Sequence, residues 1–531
     1  MADKKSQESC EKVDLEIHSR KSTEDLDQRE YRLFNALDTD AKGSITKKDL
    51  LRALQQTGLM LTDLRLQDCI RAIDSYPETI SFTDFSRIIR PNILLVEQAL
   101  QANFVIPEFQ SFCREIERIY NQTLPIHSGD IAHYIPQLAR VDPEQYGVAL
   151  STIDGQRFAL GDSQVDFCIQ SCCKPINYAL ALEEHGEEYV HNYLGREPSG
   201  RGFNELTLNH EGKPHNPMIN AGAIMCCALI KQKLDMADRF DYVMERWQTL
   251  CGETKAGFSN AVYLSERATA DRNFAIGYFM RENRAFPQGT DLISTLEFYF
   301  QCCSIEVNTE QMSIVAATLA NGGICPTTGK RVFHPKTVQH CLSLMYSCGM
   351  YDFSGEFAFT IGLPAKSGVS GVLMVVVPNV LGLCIWSPRI DRLGNSVRGI
   401  AFCKKLVETF SFHNYESLSG LSEKIDPRRN RTSLQADNVM ALIWAASKGD
   451  LTAVQRLVAC GVDLNVADYD GRTPLHLAAS EAHEHVVRYL LKQSVNVNPV
   501  DRWGGTPLSD AYRQGNQMII QLLEENGGIR V

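Results

Sequence analysis

The sequence predicts a multidomain α/β protein with an N-terminal helical bundle, a central α/β domain and a C-terminal array of helical repeats. Three observations predict this order: a helical pattern around an acidic loop, a middle region that mixes helical and strand patterns, and a repeat of 33 residues near the end. We expect a disordered tail over 1–25, the helical module over 26–127, the central domain over 128–412, a charged linker over 413–435 and the repeats over 436–531.

Charge and cysteine content exclude several classes of function. The 531 residues have a net charge of -11, whereas binding to nucleic acid generally needs a basic face, so we expect no nucleic-acid partner. None of the 17 cysteines forms a C-x-x-C pair, which removes the usual signature of a zinc site. We therefore predict no metal site and interpret the cysteines as buried thiols in a reducing compartment.

The most apolar stretch, Gly371 to Trp386, is short for a membrane span and is interrupted by Pro378 and Asn379. Its β-branched residues favour two strands joined by a tight turn, so we predict no membrane span. The first twenty residues have no apolar stretch and include acidic residues, which argues against a secretory signal or a mitochondrial transit peptide.

The N-terminal module contains a segment, LFNALDTDAKGSITKKDLLRAL, that resembles an EF-hand. Its loop positions one, three, six, seven and twelve are occupied by Asp38, Asp40, Gly43, Ser44 and Asp49. Lys42 stands at position five, where an oxygen ligand is expected, and Asp49 is shorter than the usual bidentate glutamate. We therefore interpret the segment as a structural or dimerising helix pair, with calcium binding as the alternative.

The C-terminal repeat is visible as Asp470-Gly-Arg-Thr-Pro-Leu475, which returns as Trp503-Gly-Gly-Thr-Pro-Leu508. The run TPLHLAA at Thr473 is similar to an ankyrin repeat. Helix pairs of this kind bury their apolar faces only by stacking on one another. The repeats either cap the central domain or bind a protein partner.

The residues that point to chemistry begin at Ser171. Lys174 lies three residues later at the start of a helical pattern, so the two side chains share one helix face, and Pro175 marks a helix that begins close by. A serine hydroxyl needs a base to act as a nucleophile, and a lysine serves as that base when burial lowers its pKa. Alone, this spacing is a weak signal.

A second motif supports this interpretation. Lys366-Ser367-Gly368 precedes the strand-like run VLMVVV, and S-x-x-K serine hydrolases such as β-lactamases and penicillin-binding proteins carry a K-[ST]-G triad on a strand beside the nucleophile. The edge of such a strand offers a backbone N–H to an oxyanion. We assign this role to the N–H of Val369, together with the N–H of Ser171.

Longer motifs make the resemblance specific. They occur in order, as QSCCKPINYALA, EPSGRGFNELTLN, KPHNPMINAGAI, GFSNAVYLSERATADRNFAIGYF, LANGGICP, YSCGMYDFSG and GLPAKSGVSGVLMVVVPN. Together with the flanking modules, the chain resembles the animal kidney-type and liver-type glutaminases, which are phosphate-activated. The resemblance implies a serine β-lactamase-like central domain that hydrolyses L-glutamine to L-glutamate and ammonia through a Ser-Lys acyl-enzyme.

The resemblance also implies the role of each site residue. The catalytic residues are Ser171, Lys174, Tyr351 and Tyr134. Glu266 accepts the α-ammonium group, and Asn273, seven residues later and expected on the same helix face, holds the carboxylate beside Asn220. The substrate-binding set comprises Gln170, Ser171, Asn220, Glu266, Asn273, Tyr299, Tyr351 and Val369.

Regulation and assembly are implied only by the resemblance. It indicates no cofactor, a homotetramer, and activation by inorganic phosphate through the loop from Gly195 to Glu205. It also implies a mitochondrial location, although the missing transit segment makes a cytoplasmic location the alternative. Two other interpretations stay open: a different S-x-x-K hydrolase that acts on β-lactams or peptides, and a scaffold around an inactive hydrolase domain.

Overall fold

A computed structural model of the chain describes residues 27–38, 42–101, 103–416, 424–428, 431–459, 462–493 and 495–531, without the side chains of 431–438, 456 and 459. The chain divides into two units, one ending at Arg428 and one formed by the residues after it. The expected tail over 1–25, Asp40 of the acidic loop, and 417–423 and 429–430 of the expected linker lie outside the described residues.

The N-terminal module is a bundle of short helices with its own apolar core. Its helices span 27–37, Lys47–Gln56, Gln67–Asp74, Phe82–Ile89 and Ile93–Leu100 (α1 to α5). Two three-residue strands, Ser44–Thr46 (β1) and Thr79–Ser81 (β2), pair antiparallel with Ile45 opposite Ile80. Both isoleucines are buried, so this strand pair joins the two halves of the module.

The acidic loop uses two of its carboxylates for backbone contacts. Asp38 accepts hydrogen bonds from the N–H groups of Lys42 at 3.0 Å and Gly43 at 2.7 Å. Asp49 accepts from the N–H of Thr46 at 3.2 Å and from its hydroxyl at 2.6 Å, which completes a capping box at the start of α2. These contacts fix the backbone at the start of α2, and the choice between a structural helix pair and a calcium site stays a prediction.

A five-stranded antiparallel sheet forms the centre of the first unit. In spatial order its strands are Arg157–Gly161 (β4), Gly147–Thr152 (β3), Leu381–Trp386 (β10), Val372–Val377 (β9) and Ala365–Gly368 (β8). Val377 pairs with Leu381 across the β9–β10 turn, where Asn379 has a φ of 60°. Asparagine tolerates this left-handed conformation, and the predicted pair of strands joined by a tight turn is confirmed.

Helices cover both faces of this sheet. On one face, Leu373, Val375 and Val377 pack in a cluster with Phe109–Thr123 (α6) and Val397–Thr409 (α17). On the other, Val372, Met374 and Val376 pack in a cluster with Cys173–His191 (α8) and Thr309–Ala320 (α14). Because both faces are covered, every residue of β9 is buried, and its sequence is an uninterrupted apolar run.

The other elements of this unit surround the two clusters. The remaining helices are Pro136–Ala139 (α7), Asn220–Leu229 (α9), Met236–Leu250 (α10), Asn260–Ala268 (α11), Asp271–Glu282 (α12), Leu292–Cys303 (α13), Pro335–Cys348 (α15) and Ser354–Thr360 (α16). A small sheet has the order Phe167–Cys168 (β5), Ile305–Val307 (β7) and Gly257–Phe258 (β6). Among the described residues, no helix combines the length and apolar character needed to cross a membrane.

One local prediction is wrong. The spacing from Glu266 to Asn273 predicted a shared helix face, but α11 ends at Ala268 and Asn273 lies on α12. The hydroxyl of Thr269 donates to the carbonyl of Ser265 at 3.0 Å as the first helix ends. Asp271 then begins the second helix, where its carboxylate interacts favourably with the helix dipole.

The second unit stacks helix pairs in line with the repeat period. Its helices are Arg431–Lys448 (α18), Leu451–Ala459 (α19), Pro474–Ser480 (α20), Glu484–Lys492 (α21), Pro507–Gln514 (α22) and Gln517–Glu525 (α23). Leu442, Leu475 and Leu508, each 33 residues apart, are buried in one core. Stacking of this kind supplies each pair with the apolar contacts that it lacks alone.

The sheet leaves no room for a side chain at Gly382 in β10. A Cβ atom there would lie 2.0 Å from the backbone nitrogen of Ala317 in α14. Gly382→Ala must therefore displace the helix from the sheet, and we expect a loss of about 1–3 kcal/mol, typical of overpacked cores. Differential scanning calorimetry should show a lower Tm for the transition of the first unit.

Gly355→Ala is the matched control, because a Cβ atom at that helical position meets nothing within 4 Å. It should leave the Tm unchanged or slightly raised. Equal Tm values for the two variants would contradict the close packing of α14 on β10.

Candidate active site

Ser171 lies in a tight turn that leads directly into a buried helix. Gln170–Cys172 forms a single turn of 3-10 helix, and α8 follows at Cys173, as the position of Pro175 predicted. Ser171 is partly exposed, whereas the following residues up to Leu182 are buried. Ser171 is thus the partly exposed residue at the start of this buried helix.

Lys174 is fully buried in the first turn of α8. Its Nζ donates a hydrogen bond to Oδ1 of Asn220 at 2.7 Å and lies 5.8 Å from the centre of the Phe203 ring. Burial lowers the pKa of Lys174, because the charged amine is poorly solvated in this position. This environment favours the neutral amine that a base requires.

Tyr351 is a second buried residue beside Ser171. Burial raises the pKa of Tyr351, and the nearby Ser171 hydroxyl offsets part of this rise. The two hydroxyls lie close enough for this effect, although the Tyr351 hydroxyl makes no hydrogen bond of ordinary geometry within the described residues. It is therefore a buried polar group that can take up or release a proton exchanged with Ser171.

Two site residues adopt a backbone conformation that side chains disfavour. Gln170 has a φ of 47° and Tyr351 a φ of 54°. Non-glycine residues are held in this left-handed region only when the surrounding structure enforces it, and such residues concentrate at functional sites. The fold therefore holds both residues in a disfavoured conformation beside Ser171, although five further non-glycine residues among those described share it elsewhere in the chain.

The strand β8 lies against the turn that carries Ser171. The thiol of Cys172 donates to the carbonyl of Lys366 at 3.2 Å. A Cβ atom on Gly368 would lie 2.9 Å from the carbonyl oxygen of Ile169, so glycine permits this close approach. Val369, the predicted second oxyanion donor, follows β8 directly, and its donor role stays a prediction.

No role was predicted for the side chain of Lys366, although its K-S-G motif was the available signal. Its Nζ donates to the carbonyl of Ser367 at 2.7 Å and lies 4.6 Å from the centre of the Tyr351 ring. Burial, followed by the neighbouring charge of Lys174, lowers the pKa of Lys366 to about 7. The site therefore contains two buried amines, which cannot readily both be charged.

A carboxylate defines the opposite part of the site. Glu266 is buried, and its Oε1 accepts hydrogen bonds from the Tyr134 hydroxyl at 2.5 Å and from Nε2 of Gln170 at 3.1 Å. Burial raises the pKa of Glu266, whereas the bonds from Tyr134 and Gln170 lower it. Tyr134 exposes 47% of its surface while its hydroxyl contacts Glu266, so the residue covers the carboxylate from the solvent side.

Amide groups surround the amine of Lys174. Asn220 donates through Nδ2 to Oδ1 of Asn273 at 2.9 Å, and the Tyr299 hydroxyl donates to Oδ1 of Asn220 at 3.4 Å. The helix break after Ala268 does not separate Asn273 from the site, since α12 carries it to Asn220. Hydrogen bonds thus link Lys174, Asn220, Asn273 and Tyr299.

The loop from Gly195 to Glu205 contacts the same residues. Phe203 packs on Tyr351 with 4.8 Å between ring centres, and loop residues together with Tyr351 and Asp352 line a cavity of about 420 Å³. The sequence motifs did not single out Phe203, because an aromatic residue in a polar loop has no distinctive pattern. No group of three or more potential metal ligands occurs within the described part of the chain.

Comparison with known protein families assigns the three modules. Residues 129–415 match the glutaminase family, residues 442–531 match a family of three ankyrin repeats, and residues 29–107 match an EF-hand domain. The glutaminase match includes every site residue described above.

Individual proteins agree with this assignment. The chain is 48% identical over 81% of its length to the mitochondrial liver isoform of glutaminase from Rattus norvegicus, of which it covers 73%. It is 47% identical over 85% of its length to putative glutaminase 2 of Caenorhabditis elegans, of which it covers 77%.

Solved structures extend the agreement to the fold. A probable glutaminase superposes with a TM-score of 0.54 at 35% identity, over 56% of this chain and 96% of that one. A probable glutaminase from Bacillus subtilis, solved with 6-diazo-5-oxo-L-norleucine, gives a TM-score of 0.51 at 30% identity, over 57% and 94% of the two chains. On this geometry and these matches, the chain belongs to the glutaminase family.

Proposed function

We propose that the site hydrolyses the side-chain amide of L-glutamine to L-glutamate and ammonia through a covalent ester on Ser171. One observation carries this proposal: the buried amine of Lys174 lies one helical turn from Ser171 and donates to Asn220. Asn220 also bonds Tyr299, and burial, with a contribution from the charge of Glu266, raises the pKa of Tyr299. A substrate with a reacting amide at one end and an amino acid head group at the other fits this arrangement.

Recognition of the head group falls to the carboxylate and amide side chains. Glu266 offers a negative charge to the α-ammonium group, with Tyr134 and Gln170 fixing its position. Asn220 and Asn273 offer amide donors to the α-carboxylate, and Tyr299 adds a hydroxyl. A β-lactam or a peptide has no free ammonium and carboxylate on one carbon, so this arrangement favours a free amino acid.

The first chemical step forms the ester. Neutral Lys174 takes the proton of Ser171, and Tyr351 completes the proton relay. The Ser171 oxygen attacks the side-chain amide carbon, and the N–H groups of Ser171 and Val369 stabilise the oxyanion, at about 10²–10³-fold in rate for one such donor. Tyr351 or Lys174 then protonates the departing ammonia.

The second step releases glutamate. A water molecule attacks the γ-glutamyl ester, with the same groups accepting and returning a proton, and Ser171 is regenerated. The cycle needs no cofactor. Lys366 lies 4.6 Å from the centre of the Tyr351 ring, and because burial and then the charge of Lys174 lower the pKa of Lys366, the two amines are not readily charged together.

Assembly and regulation extend the proposal. We infer that the chain forms a homotetramer and that inorganic phosphate activates it through the loop from Gly195 to Glu205. The contact of Phe203 with Tyr351 supports this coupling, because movement of the loop changes the surroundings of a catalytic tyrosine. The family's ankyrin repeats suggest a protein partner for the second unit, and the mitochondrial rat relative supports a mitochondrial location.

Replacement of Ser171 by alanine removes the nucleophile. We expect kcat for ammonia release from glutamine to fall by at least about 10³-fold, as in other serine hydrolases that lose this residue. Ser343→Ala, at an exposed serine of α15, should keep normal activity. Near-normal turnover by the Ser171→Ala protein would show that another group makes the ester.

The pH profile reports the state of Lys174. Because the active form is the neutral amine, kcat/KM should rise as pH increases through the lowered pKa of Lys174, and ionisation of Glu266 acts in the same direction. Steady-state kinetics from mildly acidic to mildly alkaline pH measures this rise. A profile that falls as pH increases over this range contradicts Lys174 as the base.

Lys174→Arg sharpens this test, since arginine stays protonated in proteins. The variant should be inactive at every pH. Lys405→Arg, an exposed lysine of α17 paired with Glu408 at 2.8 Å, serves as the control and should retain the wild-type profile.

If phosphate activates the protein through assembly, added phosphate should raise both the rate of ammonia release and the molar mass of the protein assembly. Light scattering and activity should be measured on the same samples across protein concentrations. Phe203→Ala should weaken the stimulation, because the loop loses its contact with Tyr351. Activity that ignores phosphate at every protein concentration contradicts this part of the proposal.

A further inference from the structure

A single segment carries Tyr134 over the site. We call residues 127–144 the strap; it connects the region after α6 to β3 and includes the short helix α7. Its inner side packs through Ala132, Ile135 and Leu138 on Val262 of α11, the helix that bears Glu266, and on Val369. Because Tyr134 is the strap's only residue with a hydrogen bond to Glu266 among those described, the strap's position determines that bond.

The two ends of the strap meet at one carboxylate. His127 contacts Glu144 through Nδ1 and Oε2 at 2.7 Å. Arg389 donates to Oε1 of Glu144 at 2.7 Å and to the carbonyl of Gly129 at 3.0 Å. A single guanidinium group thus holds both ends of an otherwise long loop.

A second arginine repeats this arrangement. Arg398, in α17, donates to the carbonyls of Ile126 at 2.8 Å and Glu144 at 3.0 Å, and to Oε2 of Glu144 at 2.9 Å. Interactions with Arg389, then His127, then Arg398 lower the pKa of Glu144 to about 2. The carboxylate is therefore ionised throughout the working pH range and keeps both arginines bound.

Bonds to backbone carbonyls matter most here. A charge pair at the surface adds little stability, but a fork of N–H groups on two carbonyls fixes the path of the chain. A backbone pair between Asp130 and Ile390, with N–O distances of 3.1 and 2.9 Å, anchors the strap beside Arg389. Tyr134 follows Asp130 by only four residues, so the anchored backbone constrains the position of the tyrosine.

We propose that Arg389 and Glu144 are positioning residues that hold the strap so that Tyr134 keeps Glu266 oriented toward the α-ammonium group of the substrate. This inference rests on the proposed hydrolysis of glutamine. Neither residue contacts the reacting atoms. Since the head group is bound in both ground and transition states, loss of positioning raises KM and leaves kcat nearly unchanged.

The test is a double-mutant cycle on the full-length chain. Tyr134→Phe and Arg389→Ala should each raise KM for glutamine by roughly 3–10-fold, the range that one hydrogen bond supplies, and Arg389→Ala should change kcat less than about twofold. In the double variant, KM should equal that of Tyr134→Phe, because Arg389 acts through that hydroxyl. Arg118→Ala, which removes an exposed arginine paired with Glu115 at 2.8 Å, is the control and should leave KM unchanged.

Other outcomes overturn the proposal. If the two increases in KM multiply, Arg389 does not act through Tyr134. If Arg389→Ala lowers kcat at constant KM, Arg389 contributes to the folded state of the protein and does not position Tyr134. If that variant shows no thermal unfolding transition, Glu144→Gln replaces it in the cycle and is judged by the same criteria. A wild-type chain that releases no ammonia from glutamine refutes the proposed function instead, so the two failures are distinct.

Discussion

The burial of the Lys174 amine is the constraint on which the site depends. An ammonium group in this position loses its hydration, and its hydrogen bond runs to the amide oxygen of Asn220, which carries no full charge. The neutral amine is the form that can accept the Ser171 proton. The covered sheet and the helices α8 and α9 keep water away from this amine, so the packing of the first unit and the proposed chemistry have one physical cause.

The same packing separates a region of buried amines from a region with a buried carboxylate. Lysines 174 and 366 lie on the side of Ser171 and Tyr351, whereas Glu266 lies beside Tyr134 and Gln170. A small zwitterion with an amide at its far end suits this separation. The residues that distinguish the two regions come from five different segments, which only the folded sheet and its helices bring together.

The sequence was most informative where local physics dominates. The uninterrupted apolar run around Pro378 and Asn379 predicted a buried hairpin, and the 33-residue period predicted stacked helix pairs, because in both cases neighbouring residues determine the outcome. Spacing failed between Glu266 and Asn273, where one short helix break changed the geometry without a proline or glycine to signal it.

Long-range contacts were the part that the sequence could not supply. Lys366 is almost 200 residues from Lys174, and nothing in either motif states that the two amines influence each other. Phe203 and the arginines at 389 and 398 were equally hidden, since each acts through contacts made only after folding. The family motifs indicated the residues proposed to bind the substrate, whereas the residues that support them emerged from the three-dimensional arrangement.

The pairing of β3 with β10 has a consequence for synthesis of the protein. Residues 147–152 leave the ribosome long before residues 381–386, their neighbours in the middle of the sheet. At about 5–20 residues per second, the first strand waits roughly 10–50 s for its partner. During that interval β3 can pair only with β4, so its other edge stays open, and open strand edges favour aggregation of a nascent chain.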